Sequence, residues 1–142
     1  MTEIEKLKKA IQECNYIVFF GGAGVSTESG IPDFRSTGGL YSQKYKYPPD
    51  SFYERHTEEF YEFYKEKMLF PLAVPNMAHR KLAQLENAGK VKAVITQNID
   101  GLHQAAGSRE VLELHGSVHR NYCEKCGKFF TLDYIVNSVG IP

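Results

Sequence analysis

An apolar run that leads straight into a glycine-rich loop constrains the fold of this chain more than any other feature. The run is residues 16–20, and the loop with its continuation is residues 21–36. A short apolar run is typical of a buried strand, and small residues after it present backbone N–H groups at the edge of a sheet. α/β proteins hold phosphates in this way. We therefore predict a nucleotide site. Asp33, Phe34 and Arg35, which phosphate binding does not require, indicate a reaction there.

The loop matches only part of the fingerprint that dinucleotide-binding proteins share. Gly22 and Gly24 occupy two of its glycine positions, but Thr27 stands where the third glycine is expected. The acidic residue that usually follows about 20 residues later to bind the ribose is also missing. On the glycines alone, a tight turn without any ligand stays an alternative, which the continuation through residues 32–35 disfavours.

Composition and charge describe an ordinary globular protein. The 142 residues suffice for one modest domain, with 42% hydrophobic and 24% charged residues. Because the net charge is zero, we expect no direct nucleic-acid binding and no membrane association. The first residues are charged and amphipathic, unlike a signal peptide, and three cysteines do not suggest a disulfide framework. These features predict a cytoplasmic location.

Apolar residues at spacings of three and four predict a first helix. Its stripe consists of Ile4, Leu7, Ile11 and Cys14. Cys14 is interpreted as a small buried residue of this stripe. Residues 31–49 have no sustained period and predict a long functional loop. Residues 57–70 predict a second helix that Thr57 caps.

A further helix is predicted over residues 76–87. Asn76 suits its N-terminal cap, and Gly89 suits the position just past its end. The predicted stripe on this helix is Ala78, Leu82 and Leu85. Residues 91–96 form another apolar run, typical of a buried strand. Strands that alternate with helices predict an α/β fold with a parallel sheet and crossover connections.

Polar residues follow the second predicted strand. Gln97, Asn98 and Asp100 come directly after it. Since ligands of open parallel sheets bind outside the carboxyl ends of the strands, these side chains are expected to face the same crevice as the glycine loop. Amide and carboxylate groups there could bind ribose hydroxyls or a carboxamide. An ordinary turn stays an alternative, because Asn, Asp and Gly are also turn formers.

One of the five histidines has a motif that indicates catalysis. His115 follows a short apolar alternation over residues 111–114 and precedes Gly116, which lets the backbone bend. An imidazole titrates near neutral pH and is the usual general base. His79 falls within a predicted helix, where a packing or surface role is expected. No site role is predicted for His103, and His56 and His119 have no supporting motif.

The pair Cys123-x-x-Cys126-Gly127 has the spacing of a metal-binding knuckle. A structural zinc site needs four ligands, and the sequence has no second cysteine pair. We interpret the pair as two of the four ligands of one structural zinc ion. A redox role is disfavoured, because the pair does not begin a helix after a strand.

These motifs together resemble the sirtuin family of NAD-dependent protein lysine deacylases. The matching residues are 21–26, 29–36, 96–103, His115-Gly116 and Cys123-x-x-Cys126, in the family's order. The resemblance implies a Rossmann-like parallel sheet with helices on both faces and a small zinc-ribbon module, here apparently truncated. Residues 1–118 would form part of the NAD-binding domain, with the cofactor-binding loop at about 31–50. Residues 119–142 would form the first half of the zinc module.

The resemblance also implies roles for single residues. It assigns catalysis to His115, the general base, and to Asn98. It assigns zinc binding to Cys123 and Cys126. NAD would be bound by Gly22, Ala23, Gly24, Ser26, Asp33, Phe34, Arg35, Gln97, Asn98 and Asp100. Phe34 would lie near the nicotinamide ring, Arg35 near the diphosphate and ribose, and Asp100 at the carboxamide. The implied substrates are acetylated lysines of proteins.

The resemblance extends over roughly the first half of a sirtuin catalytic domain. We therefore expect the 142-residue chain by itself to be poorly stable or inactive. The alternative function is a non-catalytic NAD-binding or zinc-knuckle interaction protein. A nicotinamide-dependent dehydrogenase is disfavoured by the missing third glycine and ribose acid.

Overall fold

The computed structural model describes residues 1–39 and 50–142. Helices and strands alternate along most of the chain. The helices are α1 (Glu3–Glu13), α2 (Asp50–Arg55), α3 (Thr57–Phe63), α4 (Met77–Asn87), α5 (Leu102–Ala105) and α6 (Leu132–Asn137). The strands are β1 (Ile17–Gly21), β2 (Val91–Thr96), β3 (Val111–Glu113), β4 (Asn121–Tyr122) and β5 (Phe129–Phe130).

The first three strands form one parallel sheet in the order β1-β2-β3. This confirms the predicted α/β architecture with crossover connections. The crossover from β1 to β2 contains α4, and the one from β2 to β3 contains α5. The last two strands form a separate antiparallel pair.

The inner face of the sheet is buried but partly polar. Val91, Val94 and Thr96 of β2 are at most 2% exposed. A second apolar cluster includes two residues of α6. Its members are Leu69, Val118, Leu132 and Ile135.

The opposite face of the sheet is exposed and apolar. Val18 and Phe20 of β1 are 48% and 61% exposed, and Leu112 of β3 is 52% exposed. The prediction that the first strand is buried is therefore wrong for the side chains on this face of the sheet. Alternate side chains of a strand point to opposite faces, and only one face of this sheet is covered within the described part of the chain.

Helix α1 forms where the periodicity predicts it, but its apolar stripe is exposed. In the part of the chain that the structure describes, no residue of α1 is buried, and Ile4 and Leu7 are 80% and 62% exposed. Cys14 is also exposed, so its interpretation as a buried residue is wrong. The helix is held at its ends instead. Thr2 forms a capping box, and Lys90 Nζ donates to three carbonyls at its C-terminus.

The helix predicted over residues 57–70 is divided. Helix α3 ends at Phe63, and a π-helix follows at Tyr64–Met68. Thr57 is not the cap. Its hydroxyl donates to the carbonyl of Tyr53 instead. Tyr53 belongs to α2, a helix that the sequence analysis did not predict. The predicted loop at residues 31–49 is irregular where the structure describes it, and its remainder lies outside the described residues.

Helix α4 begins and ends as predicted but buries a different face. Asn76 accepts hydrogen bonds from the first-turn N–H groups, and Gly89 follows the helix with φ 75°. The predicted stripe is wrong, because Ala78 is exposed and its two leucines are only half-buried. The buried positions are His79, Ala83 and Glu86. Two of them are polar and have partners beyond the helix, so apolar periodicity could not identify this face. Among the described residues, no helix is long and apolar enough to span a membrane.

Candidate functional site

The three parallel strands end at the same level. Gly21, Thr96 and Glu113 are their last residues and are register partners. The loops that follow therefore leave the sheet at one edge, where open parallel sheets bind ligands. These loops are residues 22–36, 97–101 and 114–119.

A pocket of about 950 Å³ lies between these loops. Its volume is within the range of small-molecule and cofactor sites. Its wall contains most of the predicted site residues: Ala23, Gly24, Ser26, Asp33, Phe34, Arg35, Gln97, Asn98, Asp100 and His115. Cys123 and Cys126 lie apart from it, in the turn between β4 and β5.

The glycine loop continues into a 3₁₀-helix, Ala23–Ser29. A Cβ added at Gly22 would lie 3.0 Å from Gln97 Oε1, so a side chain there would press on the polar loop. A Cβ added at Gly24 would meet no described atom within 4 Å. The backbone at Gly24 is thus open to the close approach of a ligand.

Ser26 is the centre of a buried hydrogen-bond network. Its side chain is 1% exposed, and its hydroxyl donates to Asp100 Oδ2 over 2.7 Å. Asn98 Nδ2 donates to Ser26 Oγ over 3.1 Å. Asp100 Oδ1 accepts from the backbone N–H of Leu102, so both oxygens of this carboxylate have fixed partners. The network orients a carboxylate in the pocket wall.

His79 also joins this network, although it does not line the pocket. The backbone N–H of Asn76 donates to His79 Nδ1 over 3.2 Å. The neutral ring must therefore carry its proton on Nε2, which lies 3.4 Å from Ser26 Oγ. Burial lowers the pKa of His79, against the opposing charge of Asp100, and keeps the ring neutral. The direction of each hydrogen bond in this network is thus defined, from the backbone N–H of Asn76 to the carboxylate of Asp100.

A second buried imidazole packs against the first. The rings of His103 and His79 are 4.7 Å apart between centroids, in an edge-on arrangement, and Phe19 lies 6.0 Å from His103. Neither nitrogen of His103 has a hydrogen-bond partner among the described residues. Burial and the neighbouring His79 lower the pKa of His103 to about 4. This ring is a neutral packing group at neutral pH.

His115 lies at the pocket with a defined tautomer. Its Nδ1 is 3.0 Å from the carbonyl oxygen of Gln97. Since a carbonyl can only accept, Nδ1 carries the proton and the lone pair of the neutral ring is on Nε2. The imidazole can therefore act as a base through Nε2.

The acidic and basic residues after the glycine loop occupy a tight turn. Asp33 Oδ1 accepts from the backbone N–H of Ser36 over 3.1 Å. Asp33 thus holds its own turn, while Phe34 is half-buried and Arg35 is exposed in the pocket wall.

Two residues of this region were not predicted as site residues. His79 is the third residue of α4 and forms a capping box with Asn76, at a position where the usual sequence signature has Glu or Gln. His119 lines the pocket as well, and its Nε2 lies 3.1 Å from the carbonyl oxygen of Asp100. No local pattern marks His119, because its partner belongs to another loop.

The two thiols form a compact turn. The backbone N–H of Gly127 donates to the carbonyl of Cys123, and Gly127 has φ 69°. The N–H groups of Cys126 and Lys125 lower the pKa of the Cys123 thiol. Within residues 1–39 and 50–142, no third His, Cys, Asp or Glu joins the pair in a potential metal site.

Comparisons with known proteins give a consistent result. The Sir2 family model matches residues 22–141. NAD-dependent protein deacetylases of Clostridium acetobutylicum and Clostridium tetani are 59% and 60% identical to this chain over 97% of its length. The chain spans 59% of the length of each.

Solved structures agree with the sequence relatives. A structure titled "Structural Basis for the Mechanism and Regulation of Sir2 Enzymes" is 45% identical, has a TM-score of 0.80, and covers 94% of this chain, which spans 54% of it. A Sir2 complex with p53 peptide and NAD+ is also 45% identical, with a TM-score of 0.80. It covers 96% of this chain, and this chain spans 57% of its length. The parallel sheet and its helices are the Rossmann-like fold of these proteins. This chain belongs to the Sir2 family, the sirtuins.

Proposed function

We propose that the protein containing this chain is an NAD-dependent protein lysine deacetylase, which transfers the acetyl group of acetyl-lysine to ADP-ribose and releases nicotinamide. The observation that carries the proposal is the meeting of three loops in one pocket. They contribute an open glycine backbone, an oriented carboxylate and an imidazole whose Nε2 can accept a proton. The similar proteins of two Clostridium species are named NAD-dependent protein deacetylases.

The glycine loop and its continuation would hold NAD. Gly24 keeps the backbone accessible, Gly22 leaves room for the side chain of Gln97, and the residues around Ala23 would contact the phosphates. Arg35, exposed in the pocket wall, would pair with the diphosphate, and Phe34 would lie near the nicotinamide ring. Asp33 holds the turn that carries both side chains.

The second loop would bind the nicotinamide end. Asp100 would accept hydrogen bonds from the carboxamide N–H groups, because Ser26 and Leu102 already orient its carboxylate. Gln97 and Asn98 would shape the ribose site, and Asn98 would act in catalysis beside the base. Preorganised groups of this kind bind without a reorganisation cost at the moment of reaction.

His115 would be the general base. NAD, when bound, supplies the ribose carbon that the acetyl oxygen attacks as nicotinamide leaves. His115 Nε2 would accept the proton of a ribose hydroxyl, while its Nδ1–H stays on the Gln97 carbonyl. The pocket wall also has apolar members, including Phe34, Val118 and Leu132, against which the methylene chain of acetyl-lysine could pack. We propose acetylated lysines of proteins as the substrates.

The test is NAD-dependent nicotinamide release from an acetyl-lysine peptide by the full-length protein. His115→Ala should lower kcat/KM at least about a hundredfold, as loss of a general base does. The matched control is His56→Ala. His56 is exposed and lies away from the pocket, with its Nδ1 3.1 Å from Glu59 Oε1. Wild-type protein that binds NAD but releases no nicotinamide would contradict the proposal and favour a non-catalytic NAD-binding protein.

The proposal includes one structural zinc ion bound in part by Cys123 and Cys126, in a small module that residues 119–142 begin. Two thiols in a tight turn, one with a lowered pKa, suit a metal that binds thiolates. Tetrahedral coordination requires two ligands besides these thiols. Metal analysis of the full-length protein should give one zinc per chain, lost in Cys123→Ser and retained in the control Cys14→Ser.

A cytoplasmic location is also part of the proposal. All three cysteines are described and none forms a disulfide, as is usual where thiols stay reduced. Cell fractionation with a reduced-thiol assay would test it, and recovery of the protein outside the cytoplasm would contradict it.

A further inference from the structure

Three hydrogen bonds join the loop that carries His115 to the loop that carries Asp100. His115 Nδ1 donates to the Gln97 carbonyl over 3.0 Å. The N–H of Val118 donates to the carbonyl of Ile99 over 3.0 Å. His119 Nε2 donates to the carbonyl of Asp100 over 3.1 Å. Every acceptor is a main-chain oxygen, so donors of the third loop hold the backbone of the second.

The last of these donors also packs closely on the turn. Gly101 has φ 71°, and a Cβ there would lie 2.7 Å from His119 Cδ2 and 2.8 Å from Nε2. The imidazole therefore occupies the space beside the Gly101 α-carbon. The backbone N–H of His119 donates to Ser117 Oγ, which fixes the local turn that presents the ring.

The tautomer of His119 follows from its partner. The Asp100 carbonyl can only accept, so Nε2 carries the proton. This donor persists whether or not Nδ1 is protonated. His119 therefore uses Nε2 as a hydrogen-bond donor, whereas His115 needs an unprotonated Nε2 to act as a base.

We propose that His119 is a positioning residue for the NAD site, an inference that rests on the proposed function. Through the Asp100 carbonyl and the Gly101 α-carbon it holds the turn whose carboxylate would bind the nicotinamide carboxamide. The carboxylate itself is oriented from the other side by Ser26. His119 therefore fixes the backbone of Asp100, and Ser26 fixes its side chain.

The experiment separates the hydrogen bond from the packing with two variants of the full-length protein. His119→Phe keeps a ring beside Gly101 and removes the donor, while His119→Gln keeps an N–H donor on a side chain of similar reach. We expect His119→Phe to raise the KM for NAD about fivefold, the ratio expected for one ordinary hydrogen bond. The kcat should change less than about twofold, as for an interaction made equally in the ground and transition states. His119→Gln should restore the KM to within about twofold of wild type.

Several results would overturn the inference. A wild-type KM for NAD in His119→Phe would do so, and so would an equally raised KM in His119→Gln. A fall in melting temperature with parallel losses of kcat and kcat/KM in His119→Phe would show a merely structural role. His56→Phe serves as the matched control, since His56 is an exposed histidine outside the pocket. If the wild-type protein has no deacetylase activity in the same assay, the proposed function fails and not the positioning role; isothermal titration of NAD into the same variants then tests that role directly.

Discussion

The hydroxyl of Ser26 donates a 2.7 Å hydrogen bond to the carboxylate of Asp100, 74 positions later in the chain. This contact joins the loop after β1 to the loop after β2. It exists because Gly21 and Thr96 end their strands at the same register position. The buried hydroxyl also accepts one hydrogen bond from Asn98 and lies 3.4 Å from His79 Nε2.

Removing that hydroxyl should destabilise the fold and weaken NAD binding together. Ser26→Ala leaves buried donors of Asn98 and His79 without their acceptor, which costs about 1–3 kcal/mol of unfolding free energy. Urea denaturation would measure this loss, and titration with NAD would measure the second effect. Thr27→Ala, at the exposed neighbouring position, should stay within about 0.5 kcal/mol of wild type. Equal stability of both variants would contradict the expectation.

Stability should fall with acid because of His103. Its folded pKa of about 4 lies below the value of about 6.5 that an unfolded histidine has, so the unfolded state binds the proton more readily. The contribution of His103 is therefore complete above pH 6.5 and is lost as the pH falls toward 4. Between pH 7 and pH 5 the loss is about 2 kcal/mol. His79, whose pKa is also lowered by burial, acts in the same direction.

Urea denaturation at pH 7, 6 and 5 would measure this dependence. His103→Phe keeps an aromatic ring beside His79 and removes the titrating group. Its unfolding free energy should depend less steeply on pH than that of the wild type. The control is His56→Phe, which alters an exposed histidine and should keep the wild-type slope. An unchanged slope in His103→Phe would show that other groups cause the acid sensitivity.

The carboxylate of Glu86 should be required to hold the backbone that leads into β3. Its two oxygens accept hydrogen bonds of 2.8 Å from the N–H groups of Arg109 and Glu110. Burial alone would raise the pKa of Glu86, but these donors and the Arg109 charge lower it below its usual value. Glu86→Ala leaves two backbone N–H groups without their acceptor, so we expect a loss of about 2–4 kcal/mol by urea denaturation. Glu28→Ala, at an exposed position, should lose less than about 0.5 kcal/mol. A comparable loss in both variants would contradict this account.

The exposed face of the sheet should make the isolated 142-residue chain prone to association. Phe20 is 61% exposed beside Val18, whereas the adjacent Phe19 is half-buried and packs near His103. Phe20→Thr should lower binding of a hydrophobic dye and light scattering, with little change in stability. Phe19→Thr should instead destabilise the chain by about 2–4 kcal/mol, because it leaves a cavity. Undiminished scattering in Phe20→Thr would show that another surface drives association.

Local patterns predicted the elements better than they predicted burial. The Asn76 cap, the glycine after α4 and the two predicted apolar strands each depend on residues within a few positions of one another, and the structure confirms them. The stripe of α4 was predicted wrongly because hydrophobicity alone could not reveal that His79 and Glu86 have buried partners. The division of residues 57–70 likewise depends on the preceding helix α2.

The sequence by itself determined which chemical groups are present and on which loops they lie: the glycine turn, the Gln97–Asp100 segment, His115 and the cysteine pair. It did so because strand-to-loop transitions and turn residues act over short stretches of chain. Only the tertiary structure decided how these loops meet, which nitrogen of His79, His115 and His119 carries the proton, and that His79 and His119 join the pocket region. Those properties arise from strand register and from hydrogen bonds between residues far apart in the chain, which no local pattern encodes.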